Sequence, residues 1–314
     1  MIQIIWNILL FALSAAGLIW AAGIAVKQLN KMAHLLKFSE FVTAFLLMAV
    51  ATTIPELFVG LNSIFKGAQE LALGDTIGSN IVDLTLVAGL IVLFGKGLPA
   101  RGKLVKKDML VLLGISILPL LLGGDGKMSR LDGVLLLVVY GLYLWFQVKI
   151  ADRFKRTMAV IRDGKMLGVV GIFLGAVLLL LLSSFLLVNS AVFFSTTFKI
   201  PEILLGMSLI ALGTSVPELS FVIRALREGH PEMVLGDLVG AFAANIAGIL
   251  GLVALLAPVT ITSMPVFLIG AIALPIVIGI FFLMSSTREK ITWREALGLF
   301  LLYILFVYLQ ALFK

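Results

Sequence analysis

The chain is two diverged copies of one pattern. Adding 162 to the residue number carries Thr52, Thr53, Pro55 and Glu56 onto Thr214, Ser215, Pro217 and Glu218 without a gap. The same offset carries Gly74, Asp75, Gly78 and Gly89 onto Gly236, Asp237, Gly240 and Gly251, and Lys37, Glu40, Gly67 and Glu70 onto Lys199, Glu202, Gly229 and Glu232. A repeat of this length constrains the fold severely, because each half must adopt much the same arrangement as the other.

What that arrangement is follows from how apolar the halves are. With 61% hydrophobic and 13% charged residues in 314, a soluble core could not hide the apolar side chains. Runs long enough to cross about 30 Å of hydrocarbon, roughly 20 residues each, lie at about 2–26, 38–65, 70–95, 107–124, 129–149, 166–192, 200–226, 231–257, 262–284 and 291–312. Continuous runs exclude a transmembrane barrel, whose strands alternate over about ten residues, and leave helices. The expected fold is therefore an all-α polytopic membrane protein with ten transmembrane helices. Residues 1–149 form the first five-helix repeat, 150–165 a polar linker and 166–314 the second repeat. Five is odd, so the second copy enters from the opposite side and the repeats are inverted. That architecture places a transport site near the midplane, where broken helices of the two halves face each other.

Charge and composition narrow the function. The chain has no cysteine, which removes disulfides, thiol chemistry and thiolate metal sites. Its two histidines, His34 and His230, fall in expected loops and read as solvated side chains. The first apolar run has no basic residue before it and is long for a signal peptide, so it reads as a span. The net charge of +7 is not a nucleic-acid signature, because the basic residues sit in loops. With the N-terminus outside, the inner loops hold 19 of the 24 lysines and arginines, and the outer side keeps only Lys66, Lys127, Arg130, Lys199 and Lys314. This predicts a multi-pass protein of the cell membrane with both termini outside and the linker cytoplasmic.

The residues that could carry chemistry lie deep in the spans. Glu56 and Glu218 are intramembrane carboxylates, functional candidates by default because burying an ionised group costs several kcal/mol unless a cation, water or proton compensates it. Pro55 and Pro217 lack the amide hydrogen that would bond the carbonyls of Ala51 and Gly213, so each helix should break there and free an acceptor. Thr52 and Thr53 share the helical face of Glu56, as Thr214 and Ser215 share that of Glu218. In the next spans Ser79 and Asp83 line one face, with Ala241 and Asn245 in the second copy, while Gly74 and Gly78 admit a close neighbour. All the donors are oxygens, which suits hard cations such as calcium, sodium and magnesium rather than zinc or copper. Asp75 and Asp237 stand one turn nearer the helix starts and read as a second layer. Glu70 and Glu232 suit the helix N-termini they occupy, and Asn80, Thr85, Asn189 and Ser208 suit helix-to-helix hydrogen bonds. Gly171, Gly175, Gly270 and Gly279 suit close helix approach.

These residues resemble the two alpha repeats of the cation/calcium exchanger superfamily, in particular those of the prokaryotic sodium/calcium exchangers. The resemblance is carried by Ala211-Leu212-Gly213-Thr214-Ser215-Val216-Pro217-Glu218 and by Gly74-Asp75-Thr76-Ile77-Gly78-Ser79-Asn80-Ile81-Val82-Asp83, and extends over nearly the whole chain. It implies that Glu56, Glu218, Asp83 and Asn245 ligate the cations. It also implies that hydroxyls or carbonyls at Ala49, Thr52, Thr53, Ser79, Ala211, Thr214 and Ser215 complete calcium and sodium sites. Against the family pattern Asp83 and Asn245 look exchanged, Ala51 replaces a glycine, Asp75 and Asp237 stand where asparagine is frequent, and Ala241 replaces a serine expected to serve sodium. The Gly-Asn-x-x-Glu motifs typical of proton-coupled members are missing.

The resemblance implies a secondary antiporter that exchanges calcium for sodium by alternating access. The alternative is a proton-coupled exchanger of the same fold, or one for magnesium or manganese. No cofactor is expected beyond the transported calcium and sodium ions, with protons as a further candidate. The partners expected are inorganic cations and the lipid bilayer, not nucleic acid. An enzyme is not expected: mirrored carboxylates flanked by prolines and hydroxyls suit alternating access better than an acid–base dyad.

Overall fold

Inside hydrocarbon each backbone N–H and C=O must find a partner within the protein, and the chain meets that demand with helices. The computed structural model describes residues 2–35, 52–94, 98–99, 103–151, 165–227, 231–287 and 290–313. Ala49, Ala51, Lys37, Glu40, His230 and linker residues 152–164 lie outside the described residues, as do the side chains of His34 and Glu232. The first half runs α1 (Ile2–Leu35), α2 (Ile54–Lys66), α3 (Gln69–Val82), a π-helical turn (Asp83–Val87), α4 (Ala88–Phe94), α5 (Lys103–Leu122) and α6 (Arg130–Ala151). The second runs α7 (Lys165–Phe198), α8 (Glu202–Leu205), a π turn (Gly206–Ile210), α9 (Ala211–Thr214), α10 (Val216–Arg227), α11 (Pro231–Ala243), a π turn (Ala244–Ile249), α12 (Leu250–Leu256), α13 (Met264–Thr287) and α14 (Trp293–Leu312).

Among the described residues eight helical segments are long and apolar enough to cross a membrane, and they coincide with eight of the ten expected spans. The other two have local reasons. The expected second span begins in residues outside the description, and α5 carries Lys103, Lys106, Lys107 and Asp108 in its first two turns.

Burial sorts the helices into a centre and a rim. The spans Gln69–Leu93 and Val234–Leu256 are each 83% buried, against 22% for those at Arg130–Gln147 and Trp293–Leu312. The two central segments are therefore wrapped by protein, while exposed Leu131, Leu142, Trp145, Leu301 and Ile304 mark faces that lipid covers. The long helices α1 and α7, 34 residues each, pack along one another at the rim. At about 1.5 Å per residue each reaches roughly 50 Å, longer than the hydrocarbon is thick.

Close approach at the centre depends on glycine. A Cβ on Gly74 would lie 2.3 Å from the carbonyl oxygen of Ile203, one on Gly206 would lie 2.3 Å from that of Leu71, and one on Gly78 would lie 2.5 Å from Cα of Met207. Backbone therefore meets backbone where α3 crosses the α8 segment and its π turn, as expected for Gly74 and Gly78. Of the four glycines expected to serve the apolar spans, only Gly270 does so, with Met207 Cε 2.3 Å from its would-be Cβ. Gly171 and Gly175 face open space and Gly279 meets only Leu113 at 3.9 Å, because they lie on helix faces with no close neighbour.

Small features not expected from the sequence tie the halves together. Four two-residue strands pair antiparallel: β1 (Leu98–Pro99) with β4 (Lys290–Ile291), and β2 (Lys127–Met128) with β3 (Val259–Thr260). Each pair joins one half to the other. The last helix of each half opens with a reciprocal cap. Ser129 N–H and Oγ–H donate to Asp132 Oδ2 at 2.7 and 2.6 Å, and Thr292 N–H and Oγ1–H donate to Glu295 Oε2 at 2.7 and 2.8 Å. These residues correspond at an offset of 163, so the weak sequence kinship there is a shared capping box.

Candidate cation site

Both proline-bearing helices break where the sequence predicts, and they break alike. Thr53 (φ −84°, ψ 3°) precedes α2, and Ser215 (φ −76°, ψ −4°) separates α9 from α10. The carbonyls of these two residues accept the N–H groups of Leu57 and Leu219, each at 3.1 Å. Pro55 and Pro217 are thus the second residues of new helices and Glu56 and Glu218 the third. A carboxylate in a first turn sits in the positive end of the helix dipole, which offsets part of the cost of burying it.

The other walls come from the two central segments. Asp83 opens the π turn that interrupts the first, and Asn245 is the second residue of the π turn in the other. A π turn widens the helix and re-aims its side chains, which is why such turns cluster at functional sites. Glu56, Thr52, Ser79, Glu218, Asp75, Asp237 and Asn245 are all fully buried, and Thr214, Asp83, Ser215 and Thr53 nearly so.

Two hydrogen-bond sets cross between the halves at corresponding positions. Thr52 Oγ1–H donates to Asp237 Oδ1 at 3.1 Å, and Thr214 Oγ1–H points to Asp75 Oδ1 at 3.0 Å. Ser79 Oγ joins the second set, 3.3 Å from Asp75 Oδ1 and 3.0 Å from Thr214 Oγ1. Ala241, buried at the position corresponding to Ser79, adds no hydroxyl to the first set. Asp75 and Asp237 thus each hold a threonine hydroxyl of the opposite half.

Beyond these bonds the site is a cluster of unpartnered oxygen atoms. Among the described residues, both carboxylate oxygens of Glu56, Glu218 and Asp83, one each of Asp75 and Asp237, the Ser215 hydroxyl and both polar atoms of the Asn245 side chain are buried without a hydrogen-bond partner. The carboxyl groups repel one another: Glu56 is within electrostatic reach of Asp75, Asp83 and Glu218, and Asp237 within reach of Asp83 and Glu218. Among the described residues, however, no three acidic or histidine side chains converge as a closed metal cage. A cation held here would complete its shell with hydroxyl, amide or carbonyl oxygens or water, as hard cations do.

Some expected donors are otherwise engaged. Ala49 lies outside the described residues. The Ala211 carbonyl accepts Ser215 N–H at 3.1 Å and stands 3.3 Å from Thr214 Oγ1, so it is not free to ligate in this conformation. Asn80, Thr85 and Ser208 bond the carbonyls of Thr76, Ile81 and Leu204 in their own helical turns rather than neighbouring helices. Glu70 is structural, as expected, but through a loop: it accepts Thr262 N–H at 2.8 Å and Thr262 Oγ1–H ahead of α13. Sequence reasoning missed the buried Asp108 and Gln147, although the offset of 163 that aligns Tyr140 with Tyr303 also aligns Gln147 with Gln310.

A family model described as "Sodium/calcium exchanger protein" matches residues 6–149 and again residues 168–312. The chain belongs to the sodium/calcium exchanger family. It is thus a cation exchanger and a multi-pass membrane protein. The chain is 29% identical to the inner membrane protein YrbG of Escherichia coli over 81% of its own length and 79% of that protein. It is 25% identical to the sodium/calcium exchanger MaX1 of Methanosarcina acetivorans over 96% of its own length and 97% of that protein. A solved structure of the sodium-calcium exchanger NCX_Mj, soaked with 10 mM Na+ and 10 mM Sr2+, superposes with a TM-score of 0.69 at 25% identity, covering 97% of this chain and 98% of that one.

Proposed function

We propose that the chain is a secondary antiporter that exchanges calcium for sodium by alternating access, through ten transmembrane helices arranged as two inverted five-helix repeats. The observation that carries the reading is the mirrored cluster at the centre: corresponding helix breaks, corresponding glutamates and corresponding threonine–aspartate bonds, around carboxylates that lack a hydrogen-bond partner among the described residues. A family model that matches each half separately supports the duplication. Two like halves supply two conformations of similar energy, one open to each side, and that is what alternating access requires.

In this reading Glu56, Glu218, Asp83 and Asn245 bind the ions directly, with Thr52, Thr53, Thr214, Ser215 and Ser79 adding hydroxyls. The carbonyls of Ala49 and Ala211 contribute when a conformational change releases them. Three central carboxylates carry three negative charges if all are ionised, which three sodium ions neutralise. One calcium ion leaves a single charge, which a proton on Asp83 would cancel. Radioactive calcium uptake into proteoliposomes under an imposed sodium gradient tests the reading. Uptake that follows a proton gradient and ignores sodium would replace it with the proton-coupled alternative.

Ala241 gives the sodium side a specific expectation. With no hydroxyl opposite Ser79, one sodium position is short of a donor, so sodium affinity should be low. Ala241→Ser restores an oxygen worth about 0.5–1.5 kcal/mol, which corresponds to roughly 2- to 10-fold in affinity. Sodium-driven calcium flux measured against sodium concentration should reach half-saturation at a correspondingly lower concentration in the variant; an unchanged value would clear this position of the role.

The skew of basic residues assigns orientation. Both termini lie outside and the linker is cytoplasmic. A cysteine introduced at position 155 should react with an impermeant reagent only in permeabilised cells. Labelling in intact cells would invert the assignment.

A further inference from the structure

Outside the mirrored cluster, α5 and α6 share a second buried carboxyl group. Asp108 Oδ1 accepts the Gln147 Nε2–H at 3.0 Å, and this is a buried side-chain contact between two helices whose outer faces are lipid-covered. Asp108 is 8% exposed, Gln147 1% and Tyr143 4%. Gln147 Oε1 is buried with no hydrogen-bond partner among the described residues.

Lys107 is within electrostatic reach of the acid. Lys107, next to it in sequence, holds its ammonium 4.5 Å from the centroid of the Phe146 ring, and Lys149 holds its own 3.8 Å from that of Trp145. Among the other elements packed along α5, α13 carries no titratable residue, nor does the π turn Ala244–Ile249. Helix α11 brings Asp237, whose carboxylate is held by Thr52, and Glu232, whose side chain is outside the described residues. On α6 the titratable neighbours are Lys149, Tyr140 and Tyr143, the last of which lies one turn before Gln147, hydrogen-bonds it and is within electrostatic reach of Asp108.

A carboxylate accepting one amide hydrogen leaves the amide oxygen unsatisfied, which in a buried place costs about 1–3 kcal/mol. A carboxylic acid would remove that cost. Its hydroxyl hydrogen is a donor that the carboxylate lacks, and an acid and a primary amide pair through two parallel hydrogen bonds. We propose that Asp108 and Gln147 form a proton-binding site separate from the transport carboxylates, in which Asp108 carries a hydrogen on Oδ2 and donates it to Gln147 Oε1, closing a neutral clasp between α5 and α6. The second half has no counterpart, because the corresponding Gln310 directs its Nε2–H to the sulfur of Met207, at 3.1 Å, rather than to an acid.

Infrared spectroscopy of the full-length protein in liposomes tests this directly. Spectra at pH 7 with saturating calcium hold the transport carboxylates in one state, and the wild-type minus Asp108→Asn difference isolates one group. The expected result is loss of a carboxylic-acid carbonyl band in the variant. A difference confined to the carboxylate stretches would show Asp108 to be ionised and would overturn the proposal. Gln147→Leu provides the second reading, and carries the test alone if Asp108→Asn does not assemble. It keeps the acid but removes its partner, so the same band should shift to higher frequency; a change in carboxylate bands only would again reject the clasp.

Discussion

Calcium uptake should fall to background in Glu56→Gln and, separately, in Glu218→Gln. Each substitution keeps the shape of the side chain and removes its charge, so a loss of transport reports the electrostatics rather than the packing. Both carboxylates are buried without a hydrogen-bond partner among the described residues, and an ion between them would add to the compensation that the helix dipoles give. Removing one partner of a buried charge pair costs about 3–5 kcal/mol, which corresponds to roughly 10² to more than 10³-fold in affinity. The two variants should be equally severe, because the glutamates occupy the same position in two corresponding helices. Radioactive calcium flux in proteoliposomes, with size-exclusion profiles to establish that each variant is folded, decides the matter. Wild-type flux in either folded variant would mean that the ion path lies elsewhere.

Gly74→Ala and Gly78→Ala should both cripple assembly, whereas Gly171→Ala and Gly175→Ala should be neutral. The contrast is geometric. At Gly74 and Gly78 a methyl group would run into main-chain atoms of the segment Ile203–Met207, which cannot swing aside as the end of a side chain can. Overpacking of this kind costs about 1–3 kcal/mol where neighbours can give way, and more where the obstacle is main chain. A Cβ on Gly171 or Gly175 would have nothing within 4 Å of it, so these positions accept the methyl freely. Thermal melting of the purified variants, read as the loss of monodisperse protein, should separate the pairs by several degrees. Equal behaviour of all four would contradict the close crossing of α3 with α8 and its π turn.

How much of the molecule is legible in its sequence follows from the range of the interaction involved. Apolar length and proline placement are local, so eight of the expected spans and both helix breaks are where the residues predict them. Gly171 and Gly175 depart from expectation for the opposite reason. A glycine on an apolar run says that a close approach is permitted, and only the neighbouring helix says whether one occurs. Thr85 and Ser208 show the same limit, since a hydroxyl in a helix can satisfy itself on the carbonyl of its own preceding turn, and nothing local reveals which choice it makes.

The sequence by itself determined the membrane class, the helices, the two corresponding halves and the identity of the acidic and hydroxyl groups at the centre. Each of these is written in spacing along one chain, where hydrophobic length and repeat offset are sufficient. Only the tertiary structure decided which groups meet: Thr52 with Asp237 across 185 residues, Thr214 with Asp75 across 139, and Gln147 with Asp108 across 39. It also decided that the Ala211 carbonyl is engaged and that π turns fall at Asp83 and Asn245. Such pairings are settled by the crossing of packed helices, and glycines such as Gly74 and Gly206 set the closeness of one of those crossings by what they lack. A side chain's partner is thus fixed by the rotation and depth of a neighbouring helix, quantities that no stretch of its own sequence encodes.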